Sequence, residues 1–230
     1  MKERNTPAFD AVVVGSGPGG ATVARELSLA GKKVLILEWG DNAPVKGTIG
    51  QAIRMAAIPG RSVLFTNELL GLARGITTGG SSVFYYATAF RPQLDMFRSR
   101  GIDLSHEMEE TWQELPVAPL RDELIGPLAR RVMESAGELG YNWKKLDKII
   151  FQEKCRPECD KCVMGCPYDA KWNAREFVDE AVGSGAMLLT GARVGRVLVE
   201  GRKAVGVEYK KDGASRQAYA SSIVISAGGL

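Results

Sequence analysis

Histidine is nearly absent from this 230-residue chain, which has one, His106. That scarcity argues against imidazole-rich metal centres and leaves little for histidine-based acid–base chemistry. No apolar run approaches the roughly 20 residues needed to cross a bilayer. The opening MKERNTPAFD has charge but only AVVV behind it, and that run ends in glycines, so it reads as a buried strand rather than a leader. There is no block of one charge sign. With a formal net charge of +3 and scattered basic residues, nucleic acid is not indicated. Internal repeats and low-complexity tracts are also missing. Cysteine is confined to one short stretch, Cys155–Cys166, which is not how a disulfide framework is distributed. A cytoplasmic chain with reduced thiols is the expectation.

What remains is an ordinary soluble composition, 45% hydrophobic and 25% charged, long enough for one large domain or a domain with an insertion. Residues 10–40 carry the clearest local pattern. AVVV is a β-branched run that breaks into Gly15-Ser16-Gly17-Pro18-Gly19-Gly20. ATVARELSLAG then spaces Val23, Leu27 and Ala30 as a helix does, with Gly31 as its stop, and KKVLILE is a second apolar strand. Strand, glycine loop, helix and strand in this order predict a parallel α/β sheet.

The loop fits G-x-G-x-x-G in the context its chemistry requires. Gly15 permits the tight turn, Gly17 lets backbone approach a pyrophosphate, and Gly20 lets helix pack on strand. Ser16 lies between them, and the helix start offers unpaired N–H groups to the diphosphate. Glu38, ending the second strand, is placed to accept hydrogen bonds from ribose hydroxyls, and its charge would repel a 2′-phosphate. The predicted ligand is a dinucleotide; strand–helix–strand alone does not separate NAD from FAD.

Further along, residues 41–74 are irregular, RGITTGGSS forms a second glycine loop at 74–82, and 92–150 carry charge with helical periodicity. AREFVDEAVGSGA predicts an amphipathic helix. MLLT, RVGRVLVEG, KAVGVEYKKDG, SRQAYA and SSIVISAGG read as consecutive short strands. By itself GGSS could be a turn before a helix, with Ser81 or Ser82 as its cap.

LEWG, RGITTGGSS, GARVGRVLVEGRKAVGVEY and VISAGG together resemble the flavin-binding half of the glucose–methanol–choline (GMC) oxidoreductase family. The resemblance covers nearly the whole chain, with 92–150 matching loosely. It implies one FAD-binding domain over 1–230, a Rossmann-like parallel sheet with a β-meander, and a helical insertion at roughly 92–170. It places Thr78, Gly79, Gly80, Ser81 and Ser82 along the flavin diphosphate and ring, Val194 at the adenine, and Ala227 and Gly228 at a turn returning to the cofactor. The implied activity is oxidation of a C–OH group of a small molecule by hydride transfer to FAD. Phe84-Tyr85-Tyr86 stands where many members have an asparagine. The family's proton-accepting histidine belongs to a continuation beyond Leu230, so no catalytic base is assigned here; His106, in IDLSHEMEE, reads as a solvated surface residue.

Cys155, Cys159, Cys162 and Cys166 follow C-x3-C-x2-C-x3-C-P. Four thiolates so spaced suit a 4Fe-4S cluster or a closed zinc site, and free or redox thiols are the third alternative. The last three, followed by PYDAK, resemble a stretch of long-chain alcohol oxidase members of the same family. Two rival roles follow: a flavin and iron–sulfur electron-transfer subunit, or a non-catalytic FAD-binding half whose C-terminal half is a second polypeptide. Lys171 reads as a solvated lysine at a helix start, Trp112, Trp143 and Trp172 as core or interface, and Arg91 as one side of a salt bridge.

Overall fold

The structure, a computed structural model, describes residues 8–228. The leader-free reading of the first seven residues and the last glycine of SAGG lie outside them. In chain order the elements are β1 (Phe9–Val14), α1 (Pro18–Leu29), β2 (Val34–Leu37), α2 (Ile49–Ala56), β3 (Val63–Phe65), β4 (Gly71–Ala73), α3 (Leu94–Arg98), α4 (Ser105–Glu114), β5 (Val117–Pro119), α5 (Pro127–Glu138), β6 (Asp147–Ile149), α6 (Arg175–Gly183), β7 (Met187–Leu189), β8 (Arg193–Glu200), β9 (Lys203–Lys211) and β10 (Ala214–Ile225).

Two compact units result. The first is built from the described parts of Met1–Phe84 and Asn173–Leu230. Its six-stranded sheet has the order β7-β2-β1-β10-β9-β8. β7, β2, β1 and β10 run parallel, while β10, β9 and β8 are antiparallel neighbours. β2 and the Ala11–Val14 part of β1 are apolar because both faces are covered: Val12, Val13, Val34 and Ile36 are fully buried. The α1 helix packs on β1, β2 and α6. Arg25 of α1 lies over the Phe177 ring of α6, 4.2 Å away, and pairs with Glu180 at 2.6 Å.

The sequence suggested two strands in SRQAYA and SSIVI, yet they are one. β10 pairs antiparallel with β9 through Ala214–Tyr219 and then parallel with β1 from Ala220 to Ile225. No glycine or proline interrupts this stretch, so nothing ends the strand between the two pairings. β7, for its part, joins the edge of the parallel sheet beside β2 rather than the meander.

The second unit, Tyr85–Trp172, holds α3, α4, α5 and a two-stranded antiparallel sheet of β5 and β6. Those strands are three residues each, too short for periodicity to reveal them. Its small core is Ala87, Ile150 and Ala170, against which Tyr85, Leu120, Cys155, Cys166 and Tyr168 pack. Among the described residues no helix is long and apolar enough to cross a membrane.

Candidate functional site

At the C-terminal ends of β1, β2 and β10 the first unit opens into a groove of about 640 Å³. That lies inside the usual range of small-molecule and cofactor sites, ~300–1,000 Å³. Its floor is the β1–α1 turn. Gly15 takes a φ of +94°, and a Cβ there would sit 2.4 Å from the Ser226 carbonyl oxygen, so only glycine fits. A Cβ on Gly20 would lie 2.0 Å from the Gly15 carbonyl oxygen, which is the close helix–strand approach expected of the third glycine. At Gly17 a Cβ would meet nothing within 4 Å. That residue faces the open groove and is the N-cap of α1, with Pro18 following it and no side chain capping the helix. The first amides of α1 are therefore presented to the groove, the donor set that binds a diphosphate.

Glu38 lines the same groove but is only 6% exposed. One carboxylate oxygen accepts from the Ser16 amide at 3.0 Å and the Ser16 hydroxyl at 2.6 Å, and the other accepts from the Gly40 amide at 2.7 Å. A carboxylate has about four lone-pair sites, so Oε1 retains capacity for one more donor, such as a ribose hydroxyl. The side chain thus has a structural task that the sequence did not reveal: it fixes Ser16, and the Ser16 hydroxyl accepts from the Gly79 amide at 3.3 Å. The two glycine loops are joined through this serine.

The second loop contributes less side-chain surface than expected. Gly80 and Ser81 line the groove, with Gly80 at φ +57° and its missing Cβ position 3.0 Å from the Gly17 Cα. Thr78 is fully buried, and its hydroxyl donates to the Asp41 carbonyl at 3.2 Å, away from the groove. Ser82 donates to the Gly79 carbonyl at 2.6 Å and accepts from the Ala174 amide at 3.0 Å, so it shapes the loop rather than capping a helix. Gly79 is the left-handed residue that begins a short 3-10 turn over Gly80–Val83. Val194, Ala227 and Gly228 do line the groove.

Sequence reading missed Arg175. Its guanidinium donates to the Thr78 carbonyl at 2.9 Å, the Ala43 carbonyl at 2.9 Å and the Thr77 hydroxyl at 2.8 Å, locking the second loop from beneath. Burial pulls its pKa below the ordinary guanidinium value. Arg175→Met is expected to lower the melting temperature and weaken ligand binding in the groove together, as thermal unfolding with and without an adenine dinucleotide would register. Ligand affinity unchanged in a destabilised variant would separate the loop from binding.

In the second unit Lys171 is 2% exposed, not a solvated helix start. Its ammonium donates to the carbonyls of Cys162 at 2.7 Å and Tyr85 at 2.9 Å and lies over the Tyr85 ring, and burial brings its pKa down to about 8. The four cysteines are free and half-buried. Among the described residues no group of three or more His, Cys, Asp or Glu is arranged to hold a single metal ion. Burial pushes the Cys155 and Cys162 thiols up, the reverse of a nucleophilic cysteine. Trp172 is buried, Trp143 is exposed, and Trp112 is half-buried beneath Arg91, which pairs with Glu109 at 2.6 Å. His106 is exposed beside Glu110.

The family model for GMC oxidoreductases matches residues 9–230. An uncharacterized GMC-type oxidoreductase of Mycobacterium tuberculosis is 33% identical over 95% of this chain, and a long-chain-alcohol oxidase of Arabidopsis thaliana is 26% identical over 83%. The chain spans 37% and 27% of their lengths. Among solved structures, pyridoxine 4-oxidase from Mesorbium loti superposes with a TM-score of 0.73 at 22% identity, covering 96% of this chain and 50% of that one, which supports the same fold. With this match over almost its whole length, the chain belongs to the GMC oxidoreductase family of FAD-dependent oxidoreductases.

Proposed function

We propose that the groove over β1 and α1 binds FAD and that the protein oxidises a C–OH group of a small molecule. One arrangement carries this reading: uncapped amides at the start of α1, an open Gly17 and the Glu38 carboxylate share one groove with a second glycine loop. In that arrangement the α1 amides hold the diphosphate, Glu38 accepts from the ribose, and the Val194 backbone and the Ala227–Gly228 turn close the groove. Gly79, Thr78 and Ser82 hold the second loop in place, while Gly80 and Ser81 present it. Bound there, FAD supplies a hydride acceptor for the carbon bearing the hydroxyl. The hydroxyl proton must go to a base, and none of the described groove residues is assigned that role.

The relatives extend well beyond the part matched here, and we assign substrate selection and proton acceptance to such a further part, in the same or a second polypeptide. A reducing, cytoplasmic setting is supported by the clustering of all four cysteines in one short stretch, which is not a disulfide framework. The test is the flavin content of the purified chain, followed by anaerobic addition of alcohols. Bound FAD that an alcohol bleaches would support the oxidoreductase reading in this chain. FAD that no alcohol bleaches would favour a binding half, and no FAD would overturn the proposal.

A second reading, flavin with an iron–sulfur cluster, is favoured by one observation. Cys155 lies within electrostatic reach of Cys159, Cys162 and Cys166, and the buried Lys171 ammonium is set beside Cys162 and Cys166. Anaerobically purified protein is then expected to hold iron and sulfide in proportion to FAD. Zinc instead would make the site structural. Flavin without any metal would remove the reading.

A further inference from the structure

Trp39 follows Glu38 directly and lines the same groove, with Arg74, Arg193 and Val194 beside it. The Arg193 guanidinium lies 4.5 Å from the centre of the Trp39 ring, and those of Arg61 and Arg74 lie 5.6 Å from it. This is not a chance meeting of two long side chains. Two main-chain hydrogen bonds bracket Trp39: the Ala192 amide donates to the Glu38 carbonyl at 2.8 Å, and the Gly191 amide to the Gly40 carbonyl at 2.9 Å. The segment entering β8 is thereby fastened alongside the segment leaving β2, and Trp39 and Arg193 are brought together by backbone.

Both groups are planar. An indole and a guanidinium each offer a flat face to an aromatic base, and a cationic plane attracts a π-face electrostatically. They stand at the Glu38 and Val194 end of the groove, which in this fold is the ribose end of a dinucleotide.

We propose that Trp39 and Arg193 form an adenine-recognising wall that makes the groove select adenine dinucleotides over flavin mononucleotide. This rests on the dinucleotide reading of the groove and adds the residues that choose between ligands sharing the flavin. The wall acts on the half of FAD that FMN lacks. Losing it therefore weakens FAD and ADP-ribose alike and leaves FMN unaffected.

The test is calorimetric titration of the flavin-free 230-residue chain with FAD, FMN and ADP-ribose, for the wild type, Trp39→Ala, Arg193→Met and Arg193→Lys. Arg193 is exposed, so its replacements leave the core intact even if Trp39→Ala does not fold. Arg193→Met and Trp39→Ala are expected to lose about tenfold in affinity for FAD and for ADP-ribose, with FMN unchanged. Arg193→Lys keeps the charge without the plane and should fall between. Equal losses for FMN and FAD, or no loss for ADP-ribose in Arg193→Met, would overturn the wall. A wild-type chain that bound neither FAD nor ADP-ribose would instead overturn the dinucleotide reading beneath it.

Discussion

Gly17→Asp is expected to leave the fold as stable as the wild type or slightly more so while abolishing FAD binding. Gly17 is the N-cap of α1, at φ −66° and ψ 179°, a conformation open to any residue, and a Cβ there touches nothing. Aspartate is among the preferred N-caps, and its carboxylate would take the amides that glycine leaves to a ligand, gaining a few tenths of a kcal/mol. The same carboxylate would stand in the place of the diphosphate and repel it. A loss of at least about 100-fold in FAD affinity follows, or roughly 2.7 kcal/mol. Gly15→Ala gives the opposite signature. Its φ of +94° alone costs about 1–2 kcal/mol for a residue with a Cβ, and the contact with the Ser226 carbonyl adds to that. Melting curves and FAD titrations of the two variants should therefore diverge. If Gly17→Asp bound FAD normally, α1 would not be the diphosphate site.

Glu38→Ala should destabilise the fold strongly. It removes the acceptor for the Ser16 amide, the Ser16 hydroxyl and the Gly40 amide at once, in a position only 6% exposed. Each buried donor left without a partner costs about 1–3 kcal/mol, and water entering from the groove offsets part of this. A net loss of about 3 kcal/mol is expected, which for a chain of this size lowers the melting temperature by roughly 10 °C. Glu38→Gln keeps one acceptor oxygen and turns its amide toward a donor, so it should lie between. A Glu38→Ala protein as stable as the wild type would mean that the acid serves the ligand alone. Chemical denaturation without cofactor separates the two cases.

The legible parts of this protein were those whose cause is local. The β1–α1 turn could be read because glycines, an apolar strand and a helical period all fall within a few residues and point the same way. The Glu38 position followed from the same unit. Arg175 could not be found this way, because its meaning depends on the Thr78 carbonyl 97 positions earlier in the chain. Lys171 was misread for a similar reason: one of the two carbonyls that accept from its buried ammonium, Tyr85, is 86 positions away, and nothing nearby marks it as buried. Thr78 shows the converse. The resemblance placed it against the cofactor, whereas its hydroxyl is turned to the Asp41 carbonyl. It supports the second glycine loop from within. Trp39 and Arg193 carry no motif; only the pairing of two backbone segments brings them together.

Competition at the groove tests the central claim most directly. The flavin-free chain, titrated with FAD in the presence of rising ADP, should bind FAD at one site from which ADP displaces it, because both ligands offer the same adenosine diphosphate to α1 and Glu38. FAD binding that ADP does not touch, or no FAD binding at all, would contradict it.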